Sequence, residues 1–316
     1  MVGIRVEAAE QRRPQGGQSL DFSDSPVMTI HVLPVPPALQ PAGQPFRYPK
    51  HNVGYGVEQD FLQSLGEHGT DLLTNNSREA DWHYLPVYWT RWHLNHDYAR
   101  TGREELQRAV GQTLLDPART FTVCQYVDGP LVDLGDTKIF LGSRKGQSGF
   151  DIPLLCSAHR SPLIAPRQRY RASFVGRFWT HELRQEMSDV LADRDDVFIY
   201  DGDRSTRFFV RKLLSSEIAL CPRGYGGSSF RLFEAMQLAR PPLLLSDIDT
   251  RPFRSRLPWD DFSFFATSAS EVPPLLEERS SDALAEMGRR AQQIWRDELT
   301  YGRWWRHVID KLSSLR

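Results

Sequence analysis

At 316 residues the chain exceeds what one hydrophobic core usually sustains, so two domains of about 150 residues each are expected. A composition of 40% apolar, 25% charged and 11% aromatic residues excludes a disordered chain, and a formal charge of −1 from 39 basic and 40 acidic side chains supplies no long-range field for nucleic acid or an anionic membrane. Phosphate recognition, if present, has to be local.

Residues 1–26 are rich in Gln, Gly, Ser and Asp and read as an arm outside the core. A Rossmann-like N-terminal domain is expected over 27–165. It begins with a strand at Met28–Leu33, followed by a proline-rich loop and a helix from Val57 to Leu65, where Val57, Phe61, Leu62 and Leu65 recur at helical spacing. Strands are expected at Trp82–Tyr88, Thr120–Tyr126 and Lys138–Leu141, with a helix at Tyr98–Leu115.

The boundary falls in Ser157–Gln168, where prolines interrupt the pattern, and a second Rossmann-like domain spans 166–316. Its strands are Arg171–Gly176, Val197–Tyr200, Ile218–Cys221 and Pro242–Ser246, alternating with helices at His181–Ala192, Thr206–Leu214 and Ser228–Ala239. A long amphipathic helix follows at Ser281–Leu299, docked by Trp304 and Trp305 as the end of the same domain. Such alternation implies parallel sheets, hence an α/β protein of two doubly wound domains.

Cys124, Cys156 and Cys221 match neither a disulfide framework nor a zinc motif. No run of about 18 apolar residues and no signal-like N-terminus occurs, so the expected location is cytoplasmic, at most peripheral to the inner face of a membrane.

The stretch that carries chemistry is E-I-A-L-C-P-R-G-Y-G-G-S-S-F-R-L-F-E-A-M, from Glu217 to Met236. A buried strand runs into a loop in which Gly224, Gly226 and Gly227 let backbone N–H groups approach a ligand, and Ser228 offers an N-cap to the next helix. That helix start carries open N–H donors and partial positive charge, which suits a diphosphate. Arg231 and Glu234 share a face away from the core stripe. Arg231 is expected to reach phosphate, Glu234 to accept from ribose hydroxyls, and Arg223 to complete the anion clamp. Alternatively Arg231 and Glu234 form a surface i, i+3 pair and the glycines cap a turn.

This stretch, its continuation through P-P-L-L-L-S-D and R-P-F-R-S-R-L-P-W-D-D-F-S, and the upstream pieces Y-G-V-E-Q-D-F, S-R-E-A-D-W-H-Y-L-P-V-Y, G-F-D-I-P-L and S-F-V-G-R resemble the exostosin family of glycosyltransferases over roughly 28–310. The resemblance implies a GT-B architecture, in which the two domains face across a cleft and the C-terminal one binds the donor. It also implies an inverting mechanism and a UDP-sugar co-substrate, with no obligatory cofactor or metal. By position, Arg177, Arg223, Ser228, Ser229, Arg231 and Glu234 are similar to the family's nucleotide-contacting set, and Tyr225 would shape the base or sugar pocket. Glycan and glycolipid acceptors are implied. Animal and plant relatives carry a membrane anchor and luminal cysteines that this sequence lacks, which points to a bacterial, viral or other cytosolic setting.

Inverting transfer requires a base near the acceptor hydroxyl. Glu58, opening the first helix, is the first candidate, Asp128 in Y-V-D-G-P the second and Asp81 the third; each also has a structural reading as helix-terminal charge, turn former or strand-end cap. The pairs Asp201/Asp203 and Asp247/Asp249 resemble metal-binding D-x-D motifs but are read as turn and strand-end residues. His93 and His96 are read as core or surface histidines for want of a third ligand. Trp82, Tyr84, Tyr88, Trp89 and Trp92 offer a stacking platform or core. Other functional classes are a sugar-nucleotide epimerase or hydrolase, a donor-binding scaffold without turnover, and a phage-type transferase acting on modified nucleic acid.

Overall fold

The computed structural model describes residues 28–43, 49, 51–160, 162–164 and 166–316; the arm expected at 1–26 lies outside them. The first sheet contains β1 (Ile30–Val32), β2 (Trp82–Tyr84), β3 (Thr120–Cys124), β4 (Lys138–Leu141) and β5 (Phe150–Asp151), paired in that order and parallel throughout. Its helices are α1 (Val57–His68), α2 (Trp89–Asn95) and α3 (Arg103–Thr113). Phe61 and Leu65 of α1 pack with Tyr84 and Phe121 on one face, and Trp89 and Trp92 of α2 with Leu106 and Val110 of α3 on the other.

Of the helix expected at Tyr98–Leu115 only Arg103–Thr113 is helical, and α2, which lies before that span, was not expected. Asp97, Tyr98 and Ala99 have φ of 49°, 56° and 62°, a left-handed turn that ends α2 before α3 begins. The strand expected at Trp82–Tyr88 stops at Tyr84, ahead of Pro86, which has no N–H for a ladder. Most of the aromatic platform is core: Trp82, Tyr84, Trp89 and Trp92 are buried, and only Tyr88 is half-buried.

The second sheet has β6 (Tyr170–Gly176), β7 (Val197–Asp201), β8 (Ser216–Pro222), β9 (Pro242–Leu245) and β10 (Phe264–Ala266), all parallel, in the order β10-β9-β8-β6-β7. Strands added after β6 go first to one side and then to the other, so a topological switch point lies between β6 and β8. Residues on both faces are covered, by α5 (Thr206–Leu214) and α6 (Phe230–Gln237) on one side and by α4 (Leu183–Val190) and α7 (Val272–Glu277) on the other; α8 (Ser281–Ile294) contributes to both. The tail helix ends at Ile294 and widens into a π-turn over Trp295–Leu299.

The last helix, α9 (Trp305–Ser313), crosses back. Trp304, Trp305, Val308 and Leu312 pack with Ile30, Phe61 and Phe121 in the first core, so the end of the chain belongs with the N-terminal sheet and not with 166–316. Trp304 Nε1 donates to Asp60 Oδ2 at 2.7 Å, and the Gly302 N–H donates to the same carboxylate. Sequence periodicity identifies an apolar face but not the core that receives it. Trp304→Ala is expected to cost about 3–5 kcal/mol in urea unfolding; a loss below about 1 kcal/mol would mean that the tail is not anchored there.

Candidate active site

Ligands of open α/β sheets bind outside the carboxyl ends of the strands at the switch point. In the second sheet that is the end of β6 and β8, and four arginines stand there. Arg177 pairs with Asp203 through both Nε and Nη2. Arg223 pairs with Asp247. Arg184, from the first turn of α4, donates to the carbonyls of Arg177, Pro222 and Arg223 at 2.8, 3.2 and 2.8 Å. Arg231 donates from Nε to the Val175 carbonyl at 2.7 Å and lies over the Phe174 ring. Burial lowers the affinity of Arg223 for its proton, and burial together with Arg223 pushes the His181 pKa down.

Ser229 is the N-cap of α6, its Oγ accepting from the Arg231 N–H, so the helix begins one residue later than the cap expected at Ser228. The N–H groups of Gly224, Tyr225 and Gly226 have no hydrogen-bond partner among the described residues. Arg223 Nε and Ser228 Oγ are buried and likewise unpartnered among them. Tyr225 is exposed and meets the exposed Trp179 edge-to-face at 5.8 Å, with Arg177 over the Trp179 ring. Trp179 and Arg184 were absent from the sequence candidates, since each lies outside the glycine motif and neither residue type is diagnostic there.

The glycine loop closes on the first domain. Gly227 N–H donates to the Arg144 carbonyl at 2.8 Å and Ser228 N–H to Ser143 Oγ at 3.2 Å. A Cβ at Gly226 would stand 2.3 Å from Ser143 Oγ and 2.6 Å from Val127, so only glycine permits this approach. The carboxyl ends of β3, β4 and β8 therefore meet across the seam. Two amides expected to cradle phosphate are thereby already engaged. Beyond Arg144 a cavity of about 440 Å³, lined by Arg144, Asp151, Asp249, Phe253, Arg254 and Lys311, continues between the halves. Asp151, from the G-F-D piece, is bound by both Nε and Nη2 of Arg144, and burial still raises its pKa.

Glu234 is not open to a ribose. It is buried, 3.1 Å from His159 Nε2 and 3.6 Å from His51 Nδ1, and the hydrogen bond from His159 helps hold its carboxyl below the usual range against the opposing effect of burial.

The three base candidates separate. Asp128 follows β3 on the loop whose Val127 reaches Gly226; it is exposed and paired with Lys145. Glu58 is 1% exposed, and its Oε1 accepts from Thr90 N–H at 3.1 Å, Thr90 Oγ1 at 2.6 Å and Gln125 N–H at 3.0 Å, joining α1, α2 and the end of β3. In this position it is a structural anchor without access to an acceptor. Asp81 lies at the amino end of β2, accepting from Thr29 and pairing with Arg316, at the wrong end of the sheet.

Each D-x-D carboxylate is otherwise engaged: Asp203 by Arg177, Asp247 by Arg223, Asp249 by Arg251 and Arg254, and Asp201 by the Phe178 N–H. His93 faces the Gly129 carbonyl with its pKa lowered by burial to about 4, while His96 stacks on Trp92, so the two do not converge.

Burial raises the Glu58 pKa. Because the native carboxyl keeps its proton to a higher pH than the unfolded one, its stabilising contribution is complete in acid and is lost as pH rises from about 4.3 through the native value. Glu58→Gln retains the accepting Oε1. It is expected to leave stability at neutral pH within about 1 kcal/mol of the parent, or above it, and to remove this slope from urea unfolding measured across that range. An unchanged slope would contradict the assignment.

No family model matches the chain. Over 195 residues it is 23% identical to Exostosin-1 of Drosophila melanogaster, covering 50% of this chain and 26% of that protein. Over 265 residues it is 22% identical to a probable glucuronosyltransferase of Oryza sativa subsp. japonica, covering 65% of this chain and 59% of that one. The chain thus spans between about a quarter and three-fifths of the length of these relatives. Among solved structures, AviGT4, a glycosyltransferase of avilamycin A biosynthesis, superposes with a TM-score of 0.40 at 12% identity, covering 92% of this chain and 98% of that one. MurG of Acinetobacter baumannii gives 0.35 at 9%, covering 91% and 99%. Superpositions this loose add nothing to what the two parallel sheets themselves establish.

Proposed function

We propose that this chain is a glycosyltransferase that moves a sugar from a UDP-sugar to a hydroxyl of a glycan or glycolipid acceptor, with inversion. The observation that carries the reading is the gathering of Arg177, Arg184, Arg223 and Arg231 with open N–H donors at one switch point. Similarity in sequence to Exostosin-1 and to a probable glucuronosyltransferase supports the same class.

The diphosphate is placed against Arg223, Arg231 and the amides of Gly224, Tyr225 and Gly226, with Ser228 and Ser229 at the α6 start and Arg177 at the outer edge. Orphaned Arg223 Nε and Ser228 Oγ gain partners in that arrangement. The Trp179–Tyr225 pair offers ring faces to the base. The acceptor reaches the seam from the 440 Å³ cavity. Asp128 takes the acceptor proton as the acceptor oxygen bonds to the anomeric carbon. The bond from that carbon to the phosphate oxygen breaks, and the arginines stabilise the charge that develops on the departing UDP. A single displacement of this kind inverts the anomeric centre.

A charged hydrogen bond contributes about 1.5–3 kcal/mol, so Arg223→Gln and Arg231→Gln should each weaken UDP binding by about tenfold or more in calorimetry. Uridine, which lacks the diphosphate, should lose little. Asp128→Asn should bind UDP normally and lose about 100-fold to 10,000-fold in turnover. Equal losses for UDP and uridine, or full turnover in Asp128→Asn, would overturn these assignments.

A further inference from the structure

Three segments far apart in sequence meet where the two halves join: His51 from the loop before α1, His159 from the connection between the sheets, and Glu234 from α6. One ring nitrogen from each histidine and a Glu234 carboxylate oxygen all lie within 4.8 Å of one another. Their side chains are 11%, 1% and 7% exposed. His51 Nδ1 and His159 Nε2 stand 3.6 and 3.1 Å from Glu234 Oε1. Four-coordinate zinc, with bonds of about 2.0–2.1 Å, sets neighbouring ligand atoms about 3.3–3.4 Å apart, between those two distances.

Hydrogen bonding within the cluster leaves a conflict. His51 Nε2 lies 3.0 Å from the Ser157 carbonyl, which can only accept, so the proton of the neutral ring is on Nε2 and Nδ1 presents its lone pair. That lone pair faces Glu234 Oε1, another acceptor, in a buried setting. An electron-deficient centre between the two removes the conflict. The Ser157 carbonyl then acts as the outer partner that fixes a metal-bound imidazole in the required tautomer.

We propose that His51, His159 and Glu234 bind one divalent transition-metal ion of the zinc class, with water as the fourth ligand. Two imidazoles and one carboxylate suit zinc over the oxygen-seeking magnesium or calcium. The ion ties the first domain, the connection and α6 into one unit. A coordinated metal lies in the plane of each imidazole, whereas the two rings stack at 3.9 Å with 23° between planes, so uptake turns one ring out of the stack. This site goes beyond the transferase reading and is independent of it.

The untagged full chain, stripped with a chelator and exchanged into metal-free buffer, is titrated with cobalt and then zinc. The expected result is one ion per chain, the visible absorption of four-coordinate cobalt, its bleaching by zinc, and a higher melting temperature in zinc. His51→Asn and His159→Gln should each weaken cobalt affinity by more than about 100-fold, beyond the effect of losing an outer partner. His96→Asn should leave it unchanged. Glu234→Gln removes the anionic ligand while keeping an acceptor for His159, and serves as the second variant should either histidine change unfold the chain; metal-free circular dichroism separates lost binding from lost folding. Absence of a cobalt band in the parent chain, or parental affinity in a folded ligand variant, would overturn the site.

Discussion

Four guanidinium groups held at the carboxyl ends of two adjacent strands are the constraint around which this half of the molecule is arranged. Cations removed from water need carboxylates or carbonyl oxygens close by. Arg184 satisfies itself on three strand-end carbonyls, and Arg231 has one. Arg177 and Arg223 instead use Asp203 and Asp247, whose side chains are 44% and 60% exposed. Such rim carboxylates are exchangeable for the oxygens of an anionic ligand without stranding a buried charge.

Sheet order puts this charge where it can be used. β6 lies between β7 and β8, and the crevice at that reversal opens toward the loops following β3 and β4 of the other sheet. Gly226 allows an approach to Ser143 and Val127 that a side chain would block, and the next N–H, of Gly227, reaches the Arg144 carbonyl. Return of α9 to the first core, through Trp304 and Asp60, joins the halves a second time at a distance from the glycine loop. Placement of the two strand-end surfaces against each other thus follows from burial elsewhere, not from the site residues alone.

Local periodicity made most of this fold legible. Alternation of short apolar runs with amphipathic segments located β3, β4, β6, β7, β8 and β9, and the glycine stretch marked the loop after β8. β5, two residues long, carries too little pattern to be read. The break at Asp97–Ala99 depends on backbone dihedrals that no residue type there announces. Glu58 illustrates the harder limit. Its place at the start of α1 was readable, but the donors that bury its carboxylate come from residues 32 and 67 positions away. Glu234 likewise meets His159 across 75 residues, so spacing along α6 could not reveal what its carboxylate touches.

The most direct measurement of the central claim is a crystal structure of the chain with UDP. Phosphate oxygens within hydrogen-bonding distance of Arg223, Arg231 and the amides between Gly224 and Gly226 are the expected result. Phosphate lodged instead in the cavity lined by Arg254 and Lys311, with the strand-end arginines still turned to their aspartates, would contradict the account.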